Sequence, residues 1–376
     1  MPYSQHNISF TLRICSVVRI GASQLHHIFT VNCGIHRLID IQYLLETRKA
    51  KINMWNQTLQ FEFIILGFPE LAQDQFSLFA LFCTIYLLTL LENVLLILTI
   101  SLNRHLHKPM YFFLGNLSIL EIIYVSMIMP QLFSNLLFSK RTITLGGCIT
   151  QLCFIISLAS SEFFLLTAMA YDRYLAICHP LHYTLRMNHR VCMVLSIGSW
   201  LGGFLFTFPS VIMISNLQFC SKNTIRHFFC DISPLLTLSC TDTSSIELLD
   251  FVAALVVLMP SLLVTVISYV CIFRTVARIP SRKGKHKAFS TCVSHLVVVC
   301  MFYASTIFMY ARPKAIQSFE LNKLVSILYT VVTPFLNPII YSLRNREVRE
   351  TWSKALYRST IFLARSQGER LKLWQH

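Results

Sequence analysis

Asp172 and Arg173 stand side by side at the end of a long apolar run. They put a carboxylate and a guanidinium where a helix would leave a membrane. Such a pair can act on a protein partner, because the guanidinium offers five donors in one planar fork. It can equally be an interfacial anchor whose stem lies along apolar surface while the charge stays in water. Glu121 and Glu162 sit inside apolar stretches, where an acidic side chain costs about 2.5–3.5 kcal/mol on insertion scales. Two close carboxylates cannot both ionise without a cation, so they share a proton or hold a cation. Two protonated acids serving as hydrogen-bond donors is the equal alternative. Cys220, Cys230 and Cys240 are spaced ten residues apart and, with Cys148, make four oxidisable thiols. Four cysteines allow three pairings. A zinc site with His227 would want a tight Cys-x-x-Cys spacing, which is missing. No phosphate-cradling glycine loop, His-Glu-x-x-His run or nucleophile-elbow serine occurs, so no enzyme is expected.

The elements that must position these residues are membrane spans. Of 376 residues, 55% are hydrophobic and only 13% charged, about half the charge of a soluble domain. Too few charges remain to coat a water-facing surface. A bilayer core of about 30 Å needs about 20 mostly apolar residues. Seven stretches qualify: 76–100, 110–133, 148–171, 191–214, 248–273, 288–310 and 324–343. Soluble core helices would need polar faces that these stretches lack. Their ionisable residues are few: Glu92, Glu121, Glu162 and His295, with Asp250 near an end. At helical rise, Glu121 lies about 16 Å from the inner end of its span and Glu162 about 21 Å from the outer end of its own, so both sit near the midplane.

An odd number of spans puts the termini on opposite sides. The loops after the first, third and fifth spans, with the tail, carry 19 Lys and Arg, and the other three loops carry seven. Basic residues accumulate on the cytoplasmic side, so the amino terminus is outside and the tail inside. The net charge of +15 is then an orientation signal and calls for no nucleic-acid partner. The chain divides into an extension (1–53), an extracellular segment (54–75), a seven-helix bundle (76–343) and a cytoplasmic amphipathic helix and tail (344–376). The fold class is an all-α membrane protein.

Four runs carry a family likeness: Pro109-Met110-Tyr111-Phe112-Phe113-Leu114, Met169-Ala170-Tyr171-Asp172-Arg173-Tyr174-Leu175-Ala176-Ile177-Cys178, Lys287-Ala288-Phe289-Ser290-Thr291-Cys292, and Pro334-Phe335-Leu336-Asn337-Pro338-Ile339-Ile340-Tyr341-Ser342-Leu343-Arg344-Asn345. In this order around seven spans, the chain resembles a rhodopsin-like G-protein-coupled receptor of the olfactory (odorant) receptor family, from about Met54 to about Leu356. The resemblance implies a plasma-membrane receptor that binds a small odorant and activates a heterotrimeric G protein of the stimulatory olfactory type, raising cyclic AMP. It implies a coupling switch of Asp172, Arg173, Tyr174, Asn337, Pro338 and Tyr341, in which Arg173 is freed when the sixth span swings outward. It selects the disulfides Cys148–Cys230 and Cys220–Cys240. It also suggests an allosteric sodium ion at Glu121 and Glu162, although the family often has aspartate at the first of these; no other cofactor is implied.

On the third span, Leu152, Ile155, Ile156 and Ala159 share a face at helical spacing. On the sixth, Tyr303, Thr306 and Tyr310 would point inward; Thr330 is a further hydroxyl. Together they would make a mostly apolar pocket suited to a small volatile molecule, or else ordinary helix packing. A transporter or channel would show internal hydropathy repeats, and none is seen.

Residues 1–53 hold no apolar stretch like a signal-peptide core, and Met54 opens a segment with a glycosylation sequon at Asn56. Residues 1–53 are therefore either a tethered outer extension or an upstream stretch without a fold of its own. Expressing residues 54–376 should give surface protein and signalling comparable to the full chain; loss of surface staining in unpermeabilised cells would assign the extension a trafficking or folding role.

Overall fold

The computed structural model describes residues 62–138, 142–219, 223–310, 319–344 and 347–353. The amino-terminal extension, the Asn56 sequon and Cys220 lie outside these residues. Each expected span lies within a helix: α1 (Gln75–Leu102), α2 (Pro109–Leu137), α3 (Leu145–Cys178), α4 (His189–Ser215), α5 (Ser244–Ala277), α6 (Arg282–Tyr310) and α7 (319–344). The helices outrun the apolar stretches because hydrogen-bonded turns continue to a polar cap. Asn188 accepts the Val191 N–H at 3.0 Å to start α4, and Thr144 accepts the Gly147 N–H at 3.2 Å to start α3. Pro109 opens α2, where its missing N–H costs nothing. Six of the seven are apolar across a full bilayer, and α6 contains the shorter apolar run His295–Met309 among the described residues.

α7 is interrupted by a π-helical turn, Leu328–Val332. The cause lies in the sequence. Pro334 has no N–H to give to the preceding turn, and Thr333 turns its hydroxyl back to the Leu328 carbonyl at 2.9 Å. The wider turn rotates the rest of α7, including Asn337 and Tyr341, relative to Tyr329.

The outward faces of α1, α4 and α5 expose large apolar side chains such as Leu81, Leu88, Leu201, Leu205, Leu263 and Ile267, the surface that lipid tails cover. α3 is buried along most of its length and packs most extensively against α4. Glycine permits that approach. A Cβ on Gly203 would lie 2.4 Å from the Ser157 carbonyl oxygen and 2.8 Å from the Ser161 nitrogen, closer than real atoms come. Small residues serve this purpose between membrane helices, where no hydrophobic force separates helix from lipid. Asn116, whose sequon-like match is void inside a span, also ties helices together: its Oδ1 accepts from Ser196 at 2.7 Å and from the Trp200 indole at 3.4 Å, joining α2 to α4.

The bundle also carries strands that the sequence reading did not separate from coil. β1 (Glu62–Ile65) runs antiparallel to β2 (Thr142–Thr144), with Phe63 opposite Ile143, and parallel to β3 (Thr224–Ile225), with Ile64 opposite Thr224. Phe63 and Ile65 are fully buried, but two apolar positions make too short an alternation to announce a strand. Gly67, at φ 62°, then turns the chain so that its N–H reaches the His227 carbonyl at 3.0 Å. At the other end, residues 347–353 are helical and dock on the α1–α2 link. Lys108 pairs with Glu347 at 2.7 Å, and the Trp352 indole donates to Thr99 at 2.7 Å.

The close α3–α4 contact makes Gly203→Ala costly, by about 1–3 kcal/mol of overpacking. Gly198→Ala, whose Cβ would meet nothing within 4 Å, is the matched control. Thermal unfolding of the purified variants should show a lowered midpoint for the first only. Equal midpoints would contradict the helix approach described here.

Candidate functional site

At the outer end, a disulfide joins Cys148 on α3 to Cys230 in the loop after α4. The loop is pinned further by Gln151, whose Oε1 accepts the Cys230 N–H and whose Nε2 donates to the Met127 carbonyl, both at 2.9 Å. Closing a chain segment of 82 residues stabilises by roughly 4–5 kcal/mol in the chain-entropy view. Cys240 is also disulfide-bonded; its expected partner Cys220 lies outside the described residues, although Phe219 and Ser239 bridge antiparallel beside it. Cys83, Cys153, Cys178, Cys192, Cys271, Cys292 and Cys300 are free thiols. His227 is buried, bonds Ser326 at 3.2 Å and stacks on Phe228. Burial drives its imidazole down to about 3, with the Lys323 charge adding to the effect. It is therefore neutral at physiological pH and serves as a packed hydrogen-bonding group rather than a charge. Asp231 caps the short helix Ile232–Leu236 by accepting the Ile232 N–H at 2.9 Å.

Beneath this loop, a cavity opens between α3, α4, α5, α6 and α7. Open solvent at its mouth included, the empty space between these helices comes to about 860 Å³. Ile155, Ile156, Ala159 and Thr306 line it, as their helical faces suggest. Leu152 does not; it is fully buried in packing. Nor does Tyr303, whose hydroxyl donates to Ser261 Oγ at 2.8 Å while its ring meets Phe163 edge-on, so it locks α6 to α5 and α3. The Tyr310 side chain lies outside the described atoms. Thr330 is spent on the Ser326 carbonyl at 2.6 Å, and its neighbour Tyr329 faces the cavity instead. Sequence reasoning missed the α4 and α5 walls altogether, including Phe206, Thr207, Ser210, Asp250 and Val257, and the loop residue Asp231. The signal available was Asp250, an acid near a span end that nothing on its own helix explained.

At the midplane, Glu121 and Glu162 are both buried, at 1% and 2% exposure, and near enough to act on each other electrostatically. Asn337 on α7 donates to Glu121 Oε1 at 2.5 Å, and Asn93 on α1 stands beside the same carboxylate. Glu162 Oε1, Asn93 Oδ1 and Asn337 Oδ1 are buried without hydrogen-bond partners among the described residues.

At the cytoplasmic end, Asp172 is buried and accepts the Tyr183 hydroxyl at 2.8 Å. Tyr183 belongs to the loop helix Tyr183–Arg186, so the bond holds the loop against α3. Arg173 makes no ion pair among the described residues. Its charge reaches inward to Tyr269 on α5, His295 on α6 and Tyr341 on α7. Tyr269 and His295 are themselves bonded at 2.6 Å with rings stacked, a pair the sequence reading did not assemble. Tyr174 stands apart from this group and bonds His179 at 2.9 Å. Pro338 is buried in α7, and the Tyr341 hydroxyl is buried without a partner among the described residues.

Comparison with known proteins agrees with this architecture. A family model described as olfactory receptor matches residues 82–359. Human olfactory receptor 6B1 is 52% identical over 302 residues, covering 80% of this chain and 96% of the relative. Rat olfactory receptor 226 is 51% identical over 310 residues, 81% of this chain and 93% of the relative. Human olfactory receptor 6A2 is 53% identical over 292 residues, 77% of this chain and 89% of the relative. Six long apolar helices and a shorter one among the described residues, a disulfide-tied outer loop over a cavity and these matches along most of the length lead to one conclusion: the chain belongs to the olfactory receptor family, seven-helix G-protein-coupled receptors of the plasma membrane.

Proposed function

We propose that the chain binds a small, mostly apolar volatile ligand in the outer cavity and activates a heterotrimeric G protein of the stimulatory olfactory type, raising cyclic AMP. The observation that carries this reading is the cavity itself. It opens under a disulfide-tied loop, is walled largely by Ile156, Phe206, Val257, Leu258 and Phe302, and offers the Ser160 hydroxyl, while Thr207 and Thr306 donate to the Gly203 and Phe302 carbonyls and present only their oxygens as acceptors. Such a lining desolvates an apolar body and orients it with a few polar contacts.

Signal output is assigned to the other end of the same helices. Asp172, Arg173, Tyr174, Asn337, Pro338 and Tyr341 form the proposed switch. Arg173 carries a permanent charge, and with no carboxylate pairing it among the described residues, its fork can be given to a protein partner. Asp172, held by Tyr183, positions the loop that such a partner would meet, and Tyr174 braces that loop through His179. Pro338 leaves the turn before it one hydrogen bond short, so the Tyr341 segment can move at small cost.

A sodium ion suits the midplane. The buried oxygens of Glu162, Asn93 and Asn337 lack hydrogens to accept, and with Glu121 they make an all-oxygen set of the kind hard cations prefer. Glu121 and Glu162 would hold the ion, which when bound supplies the positive charge that two desolvated carboxylates lack.

Cells displaying the full chain should answer an odorant panel with cyclic AMP. Arg173→Ala should reach the surface, because it opens no cavity in the bilayer core, yet lose most of the response per surface receptor. A normal response per receptor would leave Asp172 and Arg173 as an interfacial anchor and remove the assigned switch.

A further inference from the structure

We infer that the ligand carries a protonated amine on a compact apolar body, its ammonium held between Asp250 on α5 and Asp231 of the outer loop. The inference rests on the reading of the cavity as the ligand site. Among the described residues lining that cavity, Asp231 and Asp250 are the only charged ones; no Lys, Arg or His faces it. They come from different elements, brought to one wall by the disulfide that draws the loop over the bundle.

Each acid keeps hydrogen-bonding capacity that the described residues leave unused. Asp231 is 9% exposed, and among the described residues its side chain receives one hydrogen bond, from the Ile232 N–H. Ser210 hydrogen-bonds the Asp250 carboxyl, but its Oδ2 is buried with no hydrogen-bond partner among the described residues. A structural acid in an apolar setting is normally satisfied by donors, because an unpaired buried carboxylate is costly. Burial first, and then the Asp250 charge, push the Asp231 carboxyl up to about 6. Arg226 lines a separate, smaller cavity with Asp231, but on the side that faces the large cavity the described residues supply the two acids with no cation.

An alkylamine fits where other volatiles do not. It is protonated at neutral pH, as a lysine side chain is, and donates several hydrogen bonds at once, so it can serve both acids. The rings of Phe206, Tyr124 and Tyr329 nearby offer faces to a cation. Aldehydes, ketones and esters only accept hydrogen bonds, which leaves both carboxylates unsatisfied. A carboxylic acid adds a third negative group. An alcohol donates once and brings no charge.

The test uses the full chain on cells, with surface protein quantified and cyclic AMP recorded against matched probes: hexylamine, hexanol, hexanal and hexanoic acid, with cyclohexylamine and cyclohexanol as a compact pair. The amines should be the most potent in each set. Asp250→Asn should raise the amine EC50 by about tenfold or more, with Asp250→Glu recovering much of the loss. Should Asp250→Asn fail to reach the surface, Asp231→Asn gives the same readout, because asparagine retains the oxygen that caps Ile232. Responses to the alcohols, the aldehyde or the acid that equal or exceed the amine response would overturn this inference and leave the receptor reading intact. So would an amine EC50 that Asp250→Asn moves by less than about twofold. Silence toward every probe from receptor present at the surface would count against both.

Discussion

In a bilayer core no water is at hand to satisfy a polar group, so a buried carboxyl or amide side chain gains most from a partner on a neighbouring helix. The bond from Asn337 to Glu121 is the contact on which this bundle turns. It joins α7 to α2 at the most costly depth, and it fixes α7 in the one region where a π turn and two prolines have loosened it. Glu162 on α3 and Asn93 on α1 face the same spot, so four helices converge on one polar centre. Around it the packing is tight and apolar, with Gly203 letting α4 close on α3.

That centre lies between two quite different ends. Outside, a disulfide, a small sheet and a short capped helix hold a loop over a cavity. Inside, Arg173 looks toward Tyr269, His295 and Tyr341, three side chains on three helices. α7 takes part in all three levels, with Tyr329 at the cavity, Asn337 in the polar centre and Tyr341 near Arg173. In a helix weakened within this stretch and bonded at its middle, a shift exchanges a small number of discrete contacts rather than deforming a packed core.

Much of this was legible in the sequence, for identifiable reasons. Span positions follow from the length of apolar runs, and the midplane depth of Glu121 and Glu162 follows from helical rise alone. Helical spacing found Ile155, Ile156, Ala159 and Thr306 on the cavity face. The same rule put Tyr303 there too, but spacing gives a direction and not a neighbour. Ser261 lies across from it on α5, and the hydroxyl is consumed. Asp231 and Asp250 were invisible as a pair because they meet only after the loop folds back, a long-range event that local pattern cannot register. The strand at Glu62–Ile65 was missed for a related reason: its partners, β2 and β3, are distant in sequence.

The claim that one hydrogen bond at the midplane ties α2 to α7 can be measured directly. A double-mutant cycle of Glu121→Ala and Asn337→Ala, read as unfolding free energy of the purified full chain in lipid nanodiscs, isolates that contact from the general cost of each truncation. The account predicts a coupling of about 1 kcal/mol, toward the upper part of what such bonds contribute between membrane helices. Additivity within about 0.3 kcal/mol would contradict it and show that this bond does not hold α7 to α2.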